Sequence, residues 1–196
     1  MAQPVERGKG YTYADYLTWN DGKRWEVIDG VAYEKIEAPS IVSDMTPAPG
    51  MYHQTIVTNL IREIGIYLKG KIGRVFSAPF DVRLSESNED IVVQPDLSIF
   101  CTDQYLDEKG ATGPPDWIIE ILSPYTSVHD LTTKFLLYQR YNVKEYWVVD
   151  PSIKTVTAYT LEDDKYGEGK IFMEAQQIYS SIFPDLKIDF MEVFKK

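Results

Sequence analysis

Residues 117–150, WIIEILSPYTSVHDLTTKFLLYQRYNVKEYWVVD, decide the fold. The run opens on WIIEIL (117–122), short and nearly all apolar, the pattern of a strand covered on both faces of its sheet. A helical stretch follows over 127–141, where Ser127 and Asp130 have the spacing of a capping box with Asp in place of Glu, and Asn142 suits its stop. EYWVVD (145–150) is then a second strand, turned by Asp150-Pro151.

Outward from this unit the pattern continues. TVTAYTL (155–161) alternates, and two or three further short strands finish the chain. Upstream, IVVQPDLSIF (91–100) is a strand candidate behind the polar turn SESNED (85–90), and RVFSA (74–78) and FDVRL (80–84) are two more, split by Pro79. Residues 51–69 carry the helical period, with Val57, Leu60, Ile61, Ile64 and Leu68 on one face. APSIVSDMTPAPG (38–50) reads as a loop, and RWEVIDGVAYEKI as a hairpin turned on Asp29-Gly30. Thr12 caps a short helix carrying Tyr13, Tyr16 and Leu17. Residues 1–10 read as a flexible tail and 11–196 as a single domain. The sum is an α/β chain with a mixed central sheet and a long helix on either side.

Composition agrees. A chain of 196 residues buries roughly 70% of the surface it exposes when unfolded, and 44% hydrophobic content supplies the core, so disorder and low-complexity architectures are excluded. Cys101 is alone, which rules out an internal disulfide and a CxxC zinc site. The apolar runs are too short to span a membrane, and MAQPVERGKGY lacks the apolar segment of a signal peptide, so a cytoplasmic protein with no membrane partner is expected. A net charge of −10 has the wrong sign for coating nucleic acid by bulk charge, although it leaves room for a local basic groove.

Three polar residues stand where the pattern wants apolar ones. Glu120 has only apolar neighbours in its strand, and a buried carboxylate needs a cation, a donor or a metal. On a 3.6-residue wheel Leu131, Leu137, Tyr138 and Tyr141 form an arc with Lys134 at its middle, and Asp130, one turn earlier, can pair with it. His53 lies in line with Val57, Leu60 and Ile64 at the start of its helix, where a satisfied core histidine is the commoner role. Two carboxylates on adjacent strands can hold one hard divalent cation. Asp116 is too far along the strand to share an ion with Glu120, whereas Asp96, behind Pro95 at the opening of DLSIF, can face it from the neighbouring strand. A metal, two acids and a lysine make a phosphodiester-cleaving set.

Pro95-Asp96 followed by Glu120-Ile121-Leu122 on an apolar strand resembles the PD-(D/E)xK restriction-endonuclease-like superfamily. The longer pattern is more specific: RWEVIDG, the helix with His53, VQPDLSIF, and PPDWIIEILSPYTSVHD with TTKFLLYQRYNVKEYWVVDP resemble the Uma-type endonucleases over residues 11–161. The resemblance implies a restriction-endonuclease-like sheet, with Asp96, Glu120 and the Ile121 carbonyl as ligands of Mg²⁺ or Mn²⁺. Leu122 stands in the place of the motif lysine, and the resemblance moves that role to Lys134. It matches Glu26 to an acidic position upstream, where alternation alone favours an ordinary exposed strand glutamate, and matches His53 to a recurrent histidine. Tyr138 recurs one turn after Lys134, as packing or as a hydrogen-bond donor.

Two functions of different class follow. The first is a metal-dependent endonuclease hydrolysing DNA phosphodiester bonds, which by resemblance pairs as a homodimer. The second is a nuclease-fold binding or interaction module without turnover, to which Leu122 and the acidic balance point. Cleavage in the presence of metal separates them.

Overall fold

Asp29 and Gly30 both take positive φ, 51° and 71°, as a two-residue hairpin turn between right-twisted strands requires. They close a three-stranded sheet of β1 (Glu6–Arg7), β2 (Trp25–Ile28) and β3 (Val31–Glu34), in the order β1-β3-β2. The computed structural model describes residues 6–8, 10–35, 50–123, 127–174 and 176–195. Within the stretch read as a tail, Glu6 and Arg7 pair with Tyr33 and Ala32, so the sheet begins earlier than alternation suggests. The 38–50 loop falls outside the described residues except for Gly50, as do residues 124–126. Thr12 caps α1 (Tyr13–Tyr16) in a reciprocal box with Asp15.

Helix α2 (Met51–Leu68) leads through β4 (Arg74–Ser77) to β5 (Leu97–Phe100), then by a small hairpin, β6 (Leu106–Asp107) and β7 (Gly110–Ala111), to β8 (Trp117–Ile121). A second helical run joins α3 (Ser127–His129), a π-helical turn over Asp130–Lys134, and α4 (Phe135–Arg140). The chain ends through β9 (Glu145–Asp150), β10 (Thr155–Glu162), β11 (Lys165–Tyr166), β12 (Lys170–Phe172), β13 (Gln177–Tyr179), β14 (Lys187–Asp189) and α5 (Phe190–Val193). Asn142 takes φ 58° just past α4, the left-handed position that ends a helix.

The main sheet runs β11-β10-β9-β8-β5-β4, with β12 also on β10. β8 is antiparallel to β5 and parallel to β9, which makes the sheet mixed. Every residue of β8 is buried, as its apolar run demands. Its alternation sends Trp117, Ile119 and Ile121 to the α2 face, with Leu60 and Ile64. Ile118 goes to the α4 face, with Leu137 and Tyr138. Trp117 and Trp147 meet edge to face at 4.5 Å in the α2-side core.

Two expectations are corrected. FDVRL (80–84) is not a ladder strand: Val82 makes only isolated bridges, to Val93 and Ala111, although Val82 and Leu84 are fully buried. In IVVQPDLSIF the regular strand starts at Leu97, and the residues before it make bridges instead. Both segments are apolar because they line the α4-side core, and burial alone gives the same periodicity as a ladder.

Candidate active site

Glu120 follows Ile118 on the α4 face of β8, so its carboxylate points toward the second helical run rather than toward α2. Lys134 meets it there, with Nζ 2.9 Å from Glu120 Oε1, and the Tyr138 hydroxyl donates to the same oxygen at 2.8 Å. Lys134 Nζ also lies 3.0 Å from Glu26 Oε1 and 3.6 Å from Asp130 Oδ1. The π turn sets this aim. Leu131, placed on the buried arc by a 3.6-residue wheel, is 45% exposed, whereas Asp130 and Lys134 are buried. In a wider turn the three steps from Leu131 to Lys134 cover less of a rotation than in an α-helix and set the two further apart, so the leucine leaves the arc while the lysine stays in it. The Asp130 side chain turns inward to Lys134.

Asp96 reaches Glu120 from the other strand. The register pairs Leu97 with Ile119, which sets Asp96 opposite Glu120. The two interlock: Asp96 N donates to Glu120 Oε2 at 3.3 Å, and Ile121 N donates to Asp96 Oδ2 at 2.9 Å. His53, in the first turn of α2, brings Nε2 to 3.2 Å from Asp96 Oδ2 and 3.1 Å from the Ile121 carbonyl oxygen. Glu26 accepts from Gln94 N at 2.9 Å and is buried, so the exposed alternative for this glutamate is excluded. Glu26, His53, Asp96, Glu120, Ile121 and Lys134 therefore come to one place. Asp116 stays away, paired with Lys144 at 2.6 Å and accepting from Cys101 N. Leu122 is partly buried against the α4-side core.

One site residue escapes a reading of the sequence. Lys35, just past β3, places Nζ 3.2 Å from Asp96 Oδ1 and 2.6 Å from the Gln94 carbonyl oxygen. A signal for it exists. The two-residue turn pairs Glu26 with Tyr33, and two steps on from Tyr33 comes Lys35, on the same face as Glu26.

Four carboxylates (Glu26, Asp96, Glu120, Asp130) thus surround two ammonium groups. Burial opposes ionisation of Glu26, yet Lys134 and Lys35 hold its pKa down at about 2. Burial likewise opposes a charged Asp96, and Lys35 and His53 overcome it, holding the group well below the carboxylate range. Burial disfavours the Lys134 ammonium, but Glu120, Glu26 and Asp130 drive its pKa well above the usual lysine value. Lys35 is raised too, by Asp96 against the same desolvation. The cluster thus sets four acidic side chains against two lysines.

That excess and the donor set suit a hard divalent ion. Two carboxylates, Asp96 and Glu120, and the Ile121 carbonyl offer only oxygen, and Mg²⁺ typically takes one or two carboxylates and keeps several waters. Among the described residues no group of three or more His, Cys, Asp or Glu side chains forms a fuller ligand shell. No helix among the described residues is long and apolar enough to cross a membrane.

The family model Uma2, described as "Putative restriction endonuclease", matches residues 13–191. No curated protein matches the chain. Among solved structures it is similar to "a putative nuclease belonging to DUF820 from Anabaena variabilis ATCC 29413", with a TM-score of 0.71 and 23% identity over 94% of this chain and 98% of that one. At that identity the likeness speaks for the fold.

Proposed function

The chain belongs to the Uma2 family, and from that premise we propose that it is a Mg²⁺- or Mn²⁺-dependent endonuclease acting on DNA. The observation that carries the reading is the interlocked pair Asp96 and Glu120, opposite one another across β5 and β8 with Lys134 on Glu120. Asp96, Glu120 and the Ile121 carbonyl would hold the ion. When bound, it would supply an activated water and neutralise charge on the attacked phosphate.

The protein's own groups prepare that event. Lys134 and Tyr138 fix Glu120 through one oxygen, which leaves Oε2 turned toward Asp96. Glu26 holds Lys134 from the other side and keeps it protonated. His53 Nε2 steadies Asp96 and lies against the Ile121 carbonyl. Lys134 gives the site a fixed positive charge where the motif position, Leu122, has none, preorganised for developing negative charge. The second reading, a binding module without turnover, draws on Leu122 and on the net charge of −10.

Plasmid cleavage in Mg²⁺ or Mn²⁺ tests the proposal. Wild type is expected to nick or linearise supercoiled DNA, EDTA to stop it, and Asp96→Asn and Glu120→Gln to abolish it while remaining folded. Cleavage by Glu120→Gln at the wild-type rate overturns the assignment. Metal binding without cleavage of any DNA form favours the binding module.

A further inference from the structure

Lys35 and Lys134 are held differently. Lys134 touches three carboxylates from two strands and its own helix, and is locked in the interior. Lys35 touches one carboxylate oxygen, on Asp96, and one carbonyl oxygen, on Gln94. These oxygens flank Pro95, so the ammonium sits in a small seat lined by a carboxylate and a carbonyl, the donors a hard cation uses. The side chain is 7% exposed, so this seat is part of the buried site and not a surface pairing.

A lysine in that position acts as a stand-in ion. It satisfies Asp96 when no metal is present, and it places a unit positive charge where an incoming divalent ion must also bind. Two cations on one carboxylate repel each other, so filling the site requires the ammonium to move off. Its anchoring allows that movement. The Lys35 backbone N–H is fixed to the Arg24 carbonyl at 2.9 Å, so moving the ammonium takes side-chain torsions alone and leaves this hairpin bond in place. Lys134 has no such freedom.

We propose that Lys35 is a built-in counter-ion that competes with the divalent metal for Asp96 and sets the metal concentration at which the site fills. This rests on the metal-dependent reading above. It makes Lys35 a positioning residue that acts through Asp96 and not a group that reacts with substrate.

The test is Mn²⁺ binding by calorimetry, with melting of EDTA-treated protein, on wild type, Lys35→Met and Lys35→Arg. Lys35→Met is expected to bind Mn²⁺ about tenfold more tightly, about 1.4 kcal/mol. Its metal-free form should melt below wild type, so that Mn²⁺ raises its melting temperature by more. Lys35→Arg, which keeps the charge, should stay near the wild-type affinity. Should Lys35→Met fail to fold by circular dichroism, Lys35→Gln carries the same comparison, its amide retaining a donor for the Gln94 carbonyl.

Equal or weaker Mn²⁺ affinity in the uncharged variant overturns the proposal. If in that case Asp96→Asn still abolishes binding, the metal reading stands and only the competition falls. If neither wild type nor the uncharged variant binds Mn²⁺, both fall together.

Discussion

Lys134 Nζ lies 2.9 Å from Glu120 Oε1 across a helix and a strand, and both groups are sealed from solvent. The pair is not symmetrical in what its loss leaves behind. Without Lys134, three buried carboxylates face one another; without the Glu120 charge, Lys134 still has Glu26 and Asp130.

Lys134→Met is therefore expected to destabilise the protein by about 3–5 kcal/mol, the range for removing one partner of a buried ion pair. Glu120→Gln keeps one oxygen to accept from Tyr138 and Lys134, gives up the long 3.3 Å bond from Asp96 N to Oε2, and removes one of four acids set around two lysines. Its metal-free melting temperature should equal or exceed that of wild type. Urea unfolding of both variants checks the contrast, and equal losses would contradict it.

Tyr138→Phe removes only the hydroxyl that donates to Glu120 at 2.8 Å in a fully buried site. The ring packing on Tyr146, at 5.1 Å between centroids, is preserved. A loss of about 1.5–3 kcal/mol is expected, as for a hydrogen bond to a charged group. A change within 0.5 kcal/mol, typical of neutral surface substitutions, would show that the bond contributes nothing net.

Glu145, at the start of β9, is a buried carboxylate held by neutral donors. Trp147 Nε1 donates to Oε1 at 2.6 Å, while Ser180 Oγ, Ser181 N, Ser181 Oγ and Ile182 N all converge on Oε2. It ties the sheet to the loop before β14. Glu145→Ala strands these donors and should cost at least ~3 kcal/mol. Hydrogen exchange should show early opening of residues 180–183; protection there equal to wild type would refute the anchor.

His129 carries a pH dependence. Burial, and then the charge of Lys134, hold its imidazole at about 4, below the ordinary 6.5. As pH falls from 6.5 the unfolded chain takes a proton that the folded protein refuses, so stability present above 6.5 is lost on the way down to about 4. Glu26, held at about 2, adds its own loss only below its ordinary 4.5. Between pH 6.5 and 4.5, His129→Gln should flatten the wild-type decline by about 2 kcal/mol. An unchanged slope would assign that decline to another group.

Much of this site is legible in the sequence because burying charge is costly. Glu120 inside WIIEIL and Lys134 among Leu137 and Tyr138 violate their surroundings, and each violation is answered by the other. Asp96 follows from the need for a neighbouring acid. Lys35 violates nothing, since it ends a hairpin where lysine is ordinary, and only the register of Glu26 against Tyr33 discloses its face. The wheel selects the lysine that meets Glu120, with one wrong companion, Leu131, because it assumes a single pitch through a segment that changes pitch. Glu145 has no signal of its own, because all of its donors but Trp147 lie some 35 residues downstream, around two ordinary serines.

The charge cluster also imposes an order on the making of the protein. Synthesis delivers Glu26, Lys35, Asp96 and Glu120 before Lys134, and β8 before the α4 and β9 residues that cover it. A nascent chain ending short of residue 134 has the acids but not the lysine that Glu26 and Glu120 share, and its central strand lacks one neighbour and one cover. The charge-paired interior can close only once residue 134 has emerged from the ribosome, which sets its closure late in synthesis.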